Sequence, residues 1–92
     1  MAQLFRVKEG KLNQWKKWCD YLVAHKSEVI DSLKEEKVTR ELSVLYGEVV
    51  FYVMVGECLP STDTELNRMH KKNLAECLEE VRGDVLFDFS VE

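Results

Sequence analysis

Residues 39–55 read TRELSVLYGEVVFYVMV, two β-rich stretches that are separated only by Gly47 and Glu48. A two-residue loop with glycine at its first position suits a type II′ turn, because that position requires a positive φ. The sequence therefore predicts a hairpin with strands Thr39–Tyr46 and Val49–Val55. The loop length also fixes the pairing. The expected partners are Tyr46 with Val49, Val44 with Phe51, and Leu42 with Val53.

Three further elements follow from periodicity on either side of this hairpin. A short strand is predicted at Gln3–Val7, before the chain is broken by Gly10. Apolar residues recur at helical spacing from Lys11 to about Glu36, with no glycine or proline between them, and predict one long amphipathic helix. The pattern Thr62-x-x-Glu65 is typical of a capping box and predicts a second helix that runs to about Val81.

Gly83 is expected to end that second helix, and Val85–Val91 is expected to close the chain as a strand. The predicted order is β-α-β-β-α-β, the ferredoxin-like split arrangement. We therefore expect an α+β fold in which a four-stranded antiparallel sheet carries two helices on one face. The 92 residues are enough for one such domain, which covers residues 1–92, and too few for two independent cores.

Composition and charge narrow the classes of function. Thirteen basic against seventeen acidic residues give a net charge of −4, which argues against a nucleic-acid-binding protein. No apolar run approaches the roughly 18 residues of a membrane span, and the first residues do not form a signal peptide. The three cysteines are an odd number without a C-x-x-C pair, so we expect reduced thiols, no structural metal and no cofactor. These features favour a cytoplasmic protein with neither a nucleic-acid nor a membrane partner.

Alternation along the strands assigns residues to the two faces of the sheet. The more apolar set is expected beneath the helices: Phe5, Leu42, Val44, Phe51, Val53, Phe87 and Phe89. The opposite, open face would then carry a mixed set: Leu4, Arg6, Glu41, Ser43, Leu45, Val50, Tyr52, Met54, Leu86, Asp88 and Ser90. A second copy laid over that face would bury the apolar members and enclose the polar ones in a shared cavity. The sequence therefore predicts a homodimer.

A ligand site is expected in that cavity, and whether the protein is an enzyme stays open. The residues assigned to it are Arg6, Glu41, Tyr52, Met54 and Asp88. Arg6 would bind an anionic group of a small organic molecule, Tyr52 would stack or donate a hydrogen bond, and a carboxylate would take a proton. The alternative is a non-catalytic dimerisation or assembly protein with no small-molecule ligand, in which these side chains only pair with one another.

His70 lies near the middle of the apolar stripe of the second helix and should point at the sheet. One interpretation is a base or ligand-binding group that reaches a pocket. The other is a neutral imidazole that is buried and hydrogen-bonded for structural reasons. Cys77 follows two helical turns later, about 10 Å along the axis, which is too far for a Cys–His nucleophile pair.

Two segments resemble a small bacterial family of unknown function. They are residues 5–11, FRVKEGK, before the long helix, and residues 69–78, MHKKNLAECL, followed by LFDF at 86–89. The resemblance implies the dimeric α/β-barrel fold, in which ferredoxin-like subunits pack sheet against sheet, and no established reaction. The order of elements also resembles, distantly, the L-rhamnose mutarotase type, whose first helix carries an aromatic residue and a catalytic histidine three residues later. Trp15 matches the aromatic residue, but Trp18 occupies the histidine's position and an indole cannot exchange a proton.

Overall fold

The structure is a computed structural model that describes residues 1–91. Its four strands form one antiparallel sheet in the order β2-β3-β1-β4, which confirms the α+β class. The helices are α1, α2 and α3. In chain order the elements are β1 Ala2–Val7, α1 Leu12–Ala24, α2 Lys26–Glu35, β2 Val38–Tyr46, β3 Val49–Gly56, α3 Glu65–Cys77 and β4 Leu78–Val81.

The hairpin of β2 and β3 has the register that its loop predicts. Gly47 has a φ of +61°, as a type II′ turn requires at its first position. All three expected pairs are present: Tyr46 with Val49, Val44 with Phe51, and Leu42 with Val53. The prediction of register is confirmed, because a two-residue loop leaves the strands no freedom to slide.

The prediction of one long first helix is wrong, because the chain leaves helical geometry at His25. This residue has a φ of −110° and a ψ of 37°, and it separates α1 from α2. Its imidazole Nδ1 lies 2.8 Å from the carbonyl oxygen of Tyr21, one turn earlier. A side chain that competes for a backbone group in this way offers the chain an alternative to the regular helix.

The second predicted helix begins and ends differently from the expectation. Thr64, not Thr62, is the N-cap, and its hydroxyl accepts a hydrogen bond from the Asn67 amide at 3.1 Å. The helix ends at Cys77, and the next four residues form β4 against β1. Leu78 is buried beside Val7, so strand pairing and burial override the helical pattern of the sequence. Gly83 lies beyond β4 and ends no helix.

The prediction of a strand at Val85–Val91 is not met in the described chain. Residues 82–91 follow β4 and have no regular secondary structure, and we call them the C-terminal arm. Its side chains are exposed, although five of them are large and apolar. Phe87 and Phe89 stack on each other with ring centroids 5.1 Å apart.

The assignment of β2 and β3 to the two faces of the sheet is wrong. Val50 is fully buried and Tyr52 is 6% exposed, and both belong to the core beneath the helices together with Trp18. The open face instead carries the alternate residues of the hairpin, including Leu42 and Phe51. On β1 the assignment is right, since Phe5 packs on Tyr52 and is paired with Val50. The error arose because β3 is apolar on both sides, so alternation alone does not choose a face.

Candidate functional site

Four side chains form a hydrogen-bonded relay between helices α1 and α3 and the hairpin. The Trp18 indole N–H donates to His70 Nδ1 at 2.8 Å, and His70 Nε2 lies 3.1 Å from the Tyr52 hydroxyl. The Tyr52 hydroxyl donates to Glu41 Oε2 at 2.7 Å. Because an indole nitrogen can only donate, Nδ1 must accept, and the imidazole proton lies on Nε2. Every bond of the relay therefore runs in one direction, from Trp18 to the carboxylate of Glu41.

Burial fixes the protonation states of the two central groups. Desolvation lowers the pKa of His70, although the nearby Glu36 carboxylate opposes that shift, so the imidazole is neutral. Desolvation and the adjacent Glu41 carboxylate raise the pKa of Tyr52 far above its usual range, so the phenol keeps its proton. The neutral histidine and the protonated tyrosine are the states that the hydrogen-bond directions require.

A cavity of about 210 Å³ opens between the sheet and all three helices, directly beside this relay. Its apolar wall includes Leu22, Leu74 and Met54, and its polar wall includes Glu41, Tyr52 and His70. A cavity of about 150 Å³ is enough to admit benzene, so a small monocyclic molecule would fit here. The sequence-based prediction had placed a cavity on the opposite side of the sheet.

A second polar cluster lines the same cavity from α2 and α3. Glu36 is only 8% exposed, and its Oε2 accepts a hydrogen bond from the Ser32 hydroxyl at 2.9 Å. Asn67 Nδ2 donates to Ser32 Oγ, also at 2.9 Å, and to the backbone oxygen of Thr62. The other oxygen of each carboxylate, Oε1 of Glu36 and of Glu41, has no hydrogen-bond partner among the described residues. Two carboxylates therefore offer free acceptor atoms in this region.

Aromatic rings extend the relay along α1 towards the helix break. Trp18 stacks on His70 with centroids 5.8 Å apart and on Tyr21 with centroids 5.3 Å apart. Tyr21 in turn stacks on His25 at 3.9 Å. Spacings of three and four residues place Trp18, Tyr21 and His25 on one side of α1. The rings hold the indole in the orientation from which it donates to His70.

The predicted site residues divide among three places. Glu41, Tyr52 and Met54 lie on the helix side of the sheet, where they meet His70 in the cavity. Arg6 is exposed on the open face, paired with Val49 and Glu79. Asp88 is exposed in the C-terminal arm. Because the sheet separates Arg6 from the other polar groups, the expected anion-binding arrangement does not form in one copy of the chain.

Sequence reasoning missed Trp18, Ser32, Glu36 and Asn67 as members of the site. One signal could have corrected the choice of face. His70 was expected to point at the sheet, and a buried imidazole needs hydrogen-bond partners there. Tyr52 and Glu41 are polar side chains on the same side of the hairpin, so that side should have been placed beneath the helices.

In residues 1–91, neither the cysteines nor the side chains of the kinds that bind metals form a further candidate site. Cys19, Cys58 and Cys77 are free thiols, and burial raises the pKa of Cys19 and Cys77, which disfavours the reactive thiolate. Within residues 1–91 no three His, Cys, Asp or Glu side chains are grouped closely enough to hold a metal ion. None of the helices in that part of the chain has the length and apolar character to cross a bilayer.

Comparison with known protein families gives one match. The sequence profile of a family described as "Family of unknown function (DUF6176)" matches residues 1–91. The chain belongs to this family. Comparisons with curated proteins and with solved structures give no significant match. The L-rhamnose mutarotase resemblance therefore finds no support, and the position at which that resemblance would place a histidine is filled by the buried Trp18.

The polar groups of the candidate site act mainly as hydrogen-bond acceptors. The oxygens of Glu36 and Glu41 accept hydrogen bonds, and the Tyr52 hydroxyl already donates a hydrogen bond to Glu41. His70 cannot act as a base while Nδ1 is occupied by Trp18 and Nε2 carries a proton. Glu41 is thus the relay member with a free atom that could bind a cation or take a proton.

Proposed function

We propose that this protein binds a small organic molecule in the cavity between its sheet and its helices, and that the ligand presents hydrogen-bond donors to Glu36 and Glu41. The observation that carries the proposal is the relay from Trp18 to Glu41, which ends in a carboxylate beside a cavity that has both an apolar wall and the second polar cluster around Glu36. Ligand sites are concave, mostly apolar and supplied with a few oriented polar groups, and this cavity has that character.

The chemistry of the cavity selects the ligand class. Two carboxylates, Glu36 and Glu41, line the cavity against one lysine, the exposed Lys71, so the local charge disfavours an anionic ligand and favours a small amine or polyhydroxyl compound. The apolar part of the ligand would pack against Leu22, Leu74 and Met54. Tyr52 and His70 act as positioning residues, because their hydrogen bonds are satisfied within the relay and hold the Glu41 carboxylate in place. This ligand class differs from the anion that the sequence suggested.

A thermal-shift screen tests the proposal with three sets of small compounds: amines, neutral polyols and carboxylates or phosphates. We expect stabilising compounds among the first two sets and none in the third. A ligand at about 100 times its Kd adds roughly 2.7 kcal/mol, which corresponds to a rise in Tm of roughly 10 °C or more for a domain of this size.

Two variants connect any such compound to the cavity. Glu41→Gln keeps an acceptor for Tyr52 and removes the charge, and we expect it to weaken binding of an amine at least tenfold. Arg6→Gln is the matched control on the opposite face of the sheet, and binding should not change. Anionic compounds that bind through Arg6, or the absence of any stabilising compound, would contradict the proposal.

A second proposal, supported by a different observation, is that two copies associate through their open sheet faces. That face of the hairpin and β1 carries a continuous set of apolar side chains: Leu4, Leu42, Val44, Tyr46, Val49, Phe51, Val53 and Val55. Leu4 is 41% and Tyr46 65% exposed, although such side chains are normally covered. The inverted face assignment strengthens the case for a homodimer, since the open face is more apolar than the sequence suggested.

The connectivity supports the ferredoxin-like assignment and hence the dimeric α/β-barrel arrangement. β3 lies between the helix-linked strands β1 and β2, and β1 lies between β3 and β4, as in a split βαβ unit. Light scattering coupled to gel filtration tests the dimer. We expect a mass of twice 10.8 kDa, and a mass of 10.8 kDa at micromolar concentration would contradict it. The cytoplasmic location stays a prediction, supported by the three free thiols.

A further inference from the structure

The C-terminal arm is not hydrogen-bonded to the rest of the described chain and exposes large apolar side chains, a combination that is unusual in a stable monomer. Residues 82–91 make no hydrogen bond with the rest of the described chain. Their large apolar side chains are between 73% exposed, at Phe87, and 97% exposed, at Val91. Apolar residues alternate with Asp88 and Ser90, which is the pattern of a strand with one covered face. The arm therefore has the sequence of a strand and lacks a sheet to join.

A free sheet edge of suitable length exists at β2. Among the described residues β2 pairs only with β3, so one side of its nine residues has no strand neighbour. The other edge strand, β4, has only four residues and immediately precedes the arm. A long exposed edge is a template for another strand. The β2 edge is thus the place where a strand of the arm's length can be added.

The arm cannot reach the β2 edge of its own sheet. From β4, a strand added outside β2 lies four strand spacings away, about 19 Å at ~4.8 Å each. The chain from Val81 to Val85 has four residue steps, which span at most about 14 Å when fully extended. The β2 edge of a second copy is not subject to this limit, because that copy can lie beside the arm. The arm of one chain therefore fits the edge of its partner.

We infer that the C-terminal arm of one copy pairs antiparallel with β2 of a second copy and adds a fifth strand to that copy's sheet. The inference rests on the dimer proposed above and adds to it a specific exchange of strands. One register matches both faces of the sheet. On the open face it pairs Val85 with Tyr46, Phe87 with Val44, and Phe89 with Leu42. On the helix side it pairs Leu86 with Leu45, Asp88 with Ser43, and Ser90 with Glu41.

This register satisfies the side chains on each face. The phenyl rings of Phe87 and Phe89 join the apolar open face, where Val44 and Leu42 already lie. Asp88 meets the exposed Ser43, which supplies a hydroxyl donor. A slip by one residue would place Asp88 on the apolar face and both phenylalanines on the other. A slip by two residues in one direction would keep the faces but set Asp88 opposite Glu41, where like charges repel.

An engineered disulfide tests the exchange on the full-length chain. Directly paired residues of antiparallel strands have Cα atoms about 4.5–5.5 Å apart, within the range that a disulfide bridges. The double variant Ser43→Cys/Asp88→Cys should, after mild oxidation, run mainly as a dimer on a non-reducing gel. The matched control Ser43→Cys/Asp84→Cys, with its second cysteine four residues out of register, should run as a monomer. Mixed and refolded single variants, Ser43→Cys with Asp88→Cys, should also cross-link, whereas each alone should not.

The outcomes separate the arm exchange from the dimer itself. A cross-link within one chain, seen as an oxidised species of monomer mass, would show that the arm returns to its own sheet and would overturn the inference. A dimer by light scattering in which neither cysteine pair cross-links would also overturn it and leave the dimer standing. A monomer by light scattering, together with no cross-link between chains, would overturn both.

Discussion

At the scale of single residues, one hydrogen bond decides the state of the candidate site. The Trp18 indole donates to Nδ1 of His70 and so places the imidazole proton on Nε2, while burial keeps the imidazole neutral. The indole, which looked unsuitable for acid–base work in the sequence, is the group that fixes the tautomer of the titratable residue. Trp18 belongs to the site through its donor atom.

Replacing Trp18 with phenylalanine should raise the pKa of His70, because Nδ1 loses its donor and becomes free to take a proton. The change also leaves that buried acceptor unpaired and should lower the free energy of unfolding by about 1–3 kcal/mol. An NMR titration of the His70 ring and urea denaturation measure the two effects. Trp15→Phe is the control, since Trp15 is equally buried and does not contact the imidazole nitrogens. An unchanged His70 titration in Trp18→Phe would contradict this account.

The lowered pKa of His70 gives the protein a characteristic dependence on pH. Its pKa in the folded chain lies below the unfolded value of about 6.5, so the unfolded state binds more protons between the two values. The contribution of His70 is complete above pH 6.5 and is lost as the pH falls from there to the folded pKa. We expect the wild type to lose stability over this range relative to His70→Gln, whose amide does not titrate. A stability difference between the wild type and His70→Gln that stays the same at every pH would contradict the assignment.

At the scale of secondary-structure elements, the end of the hairpin at Gly56 packs very closely against the backbone of Lys37, just after α2. A Cβ built on Gly56, whose φ is +127°, would lie 2.3 Å from the carbonyl oxygen of Lys37. The register of β2 and β3 shifts at this end, between Val38 and Arg40. Glycine is therefore required where the hairpin meets the end of α2.

Gly56→Ala should destabilise the protein by roughly 2 kcal/mol or more, since both the φ angle and the contact with Lys37 oppose a side chain. Gly83→Ala is the matched control, because a Cβ at Gly83 meets nothing within 4 Å. Thermal unfolding of the two variants measures the difference. Equal stabilities for the two variants would show that the strand end can relax.

The hairpin and the cavity also show what a sequence of this kind can and cannot predict. The register was predictable because a two-residue loop allows one pairing, and the direction of His70 followed from the helical stripe. The face of the hairpin was not predictable from alternation, since Leu45 with Val50 and Val44 with Phe51 are equally apolar pairs. The end of α3 was missed for another reason. Leu78 continues a helical pattern, and only its pairing with Val7 turns it into a strand.

At the scale of the whole molecule, the two faces of the sheet have different tasks. The helix side holds the core, the relay and the cavity, whereas the open side holds apolar residues that are exposed or only half-buried in a single copy. The proposed ligand site and the proposed dimer interface therefore lie on opposite faces of the sheet. A substitution on one face should therefore test one proposal and leave the other face unchanged.

Val53→Glu should weaken the proposed dimer by about two orders of magnitude, because it would bury a carboxylate without a partner between Ala2 and Leu42. Val23→Glu makes the same change on α1, at a side chain that is 76% exposed, and should leave the dimer intact. Light scattering over a dilution series gives both dissociation constants. Circular dichroism should show that both variants keep their helices. A Val53→Glu protein that stays dimeric would place the interface elsewhere.

The exposed arm should make the protein prone to aggregate whenever it lacks a partner copy, as it does just after synthesis or after a dimer dissociates. Residues 85–91, VLFDFSV, form a short apolar segment without proline, and such segments nucleate aggregates when they are uncovered. Asp88 is the single charge within the segment and acts as a gatekeeper, since like charges oppose stacking of identical strands. Asp88→Val should therefore shorten the lag time of thioflavin T fluorescence, whereas Asp84→Val, outside the segment, should not. Selection would then keep a charged residue at position 88, because each newly made copy is open to aggregation until it meets a partner copy.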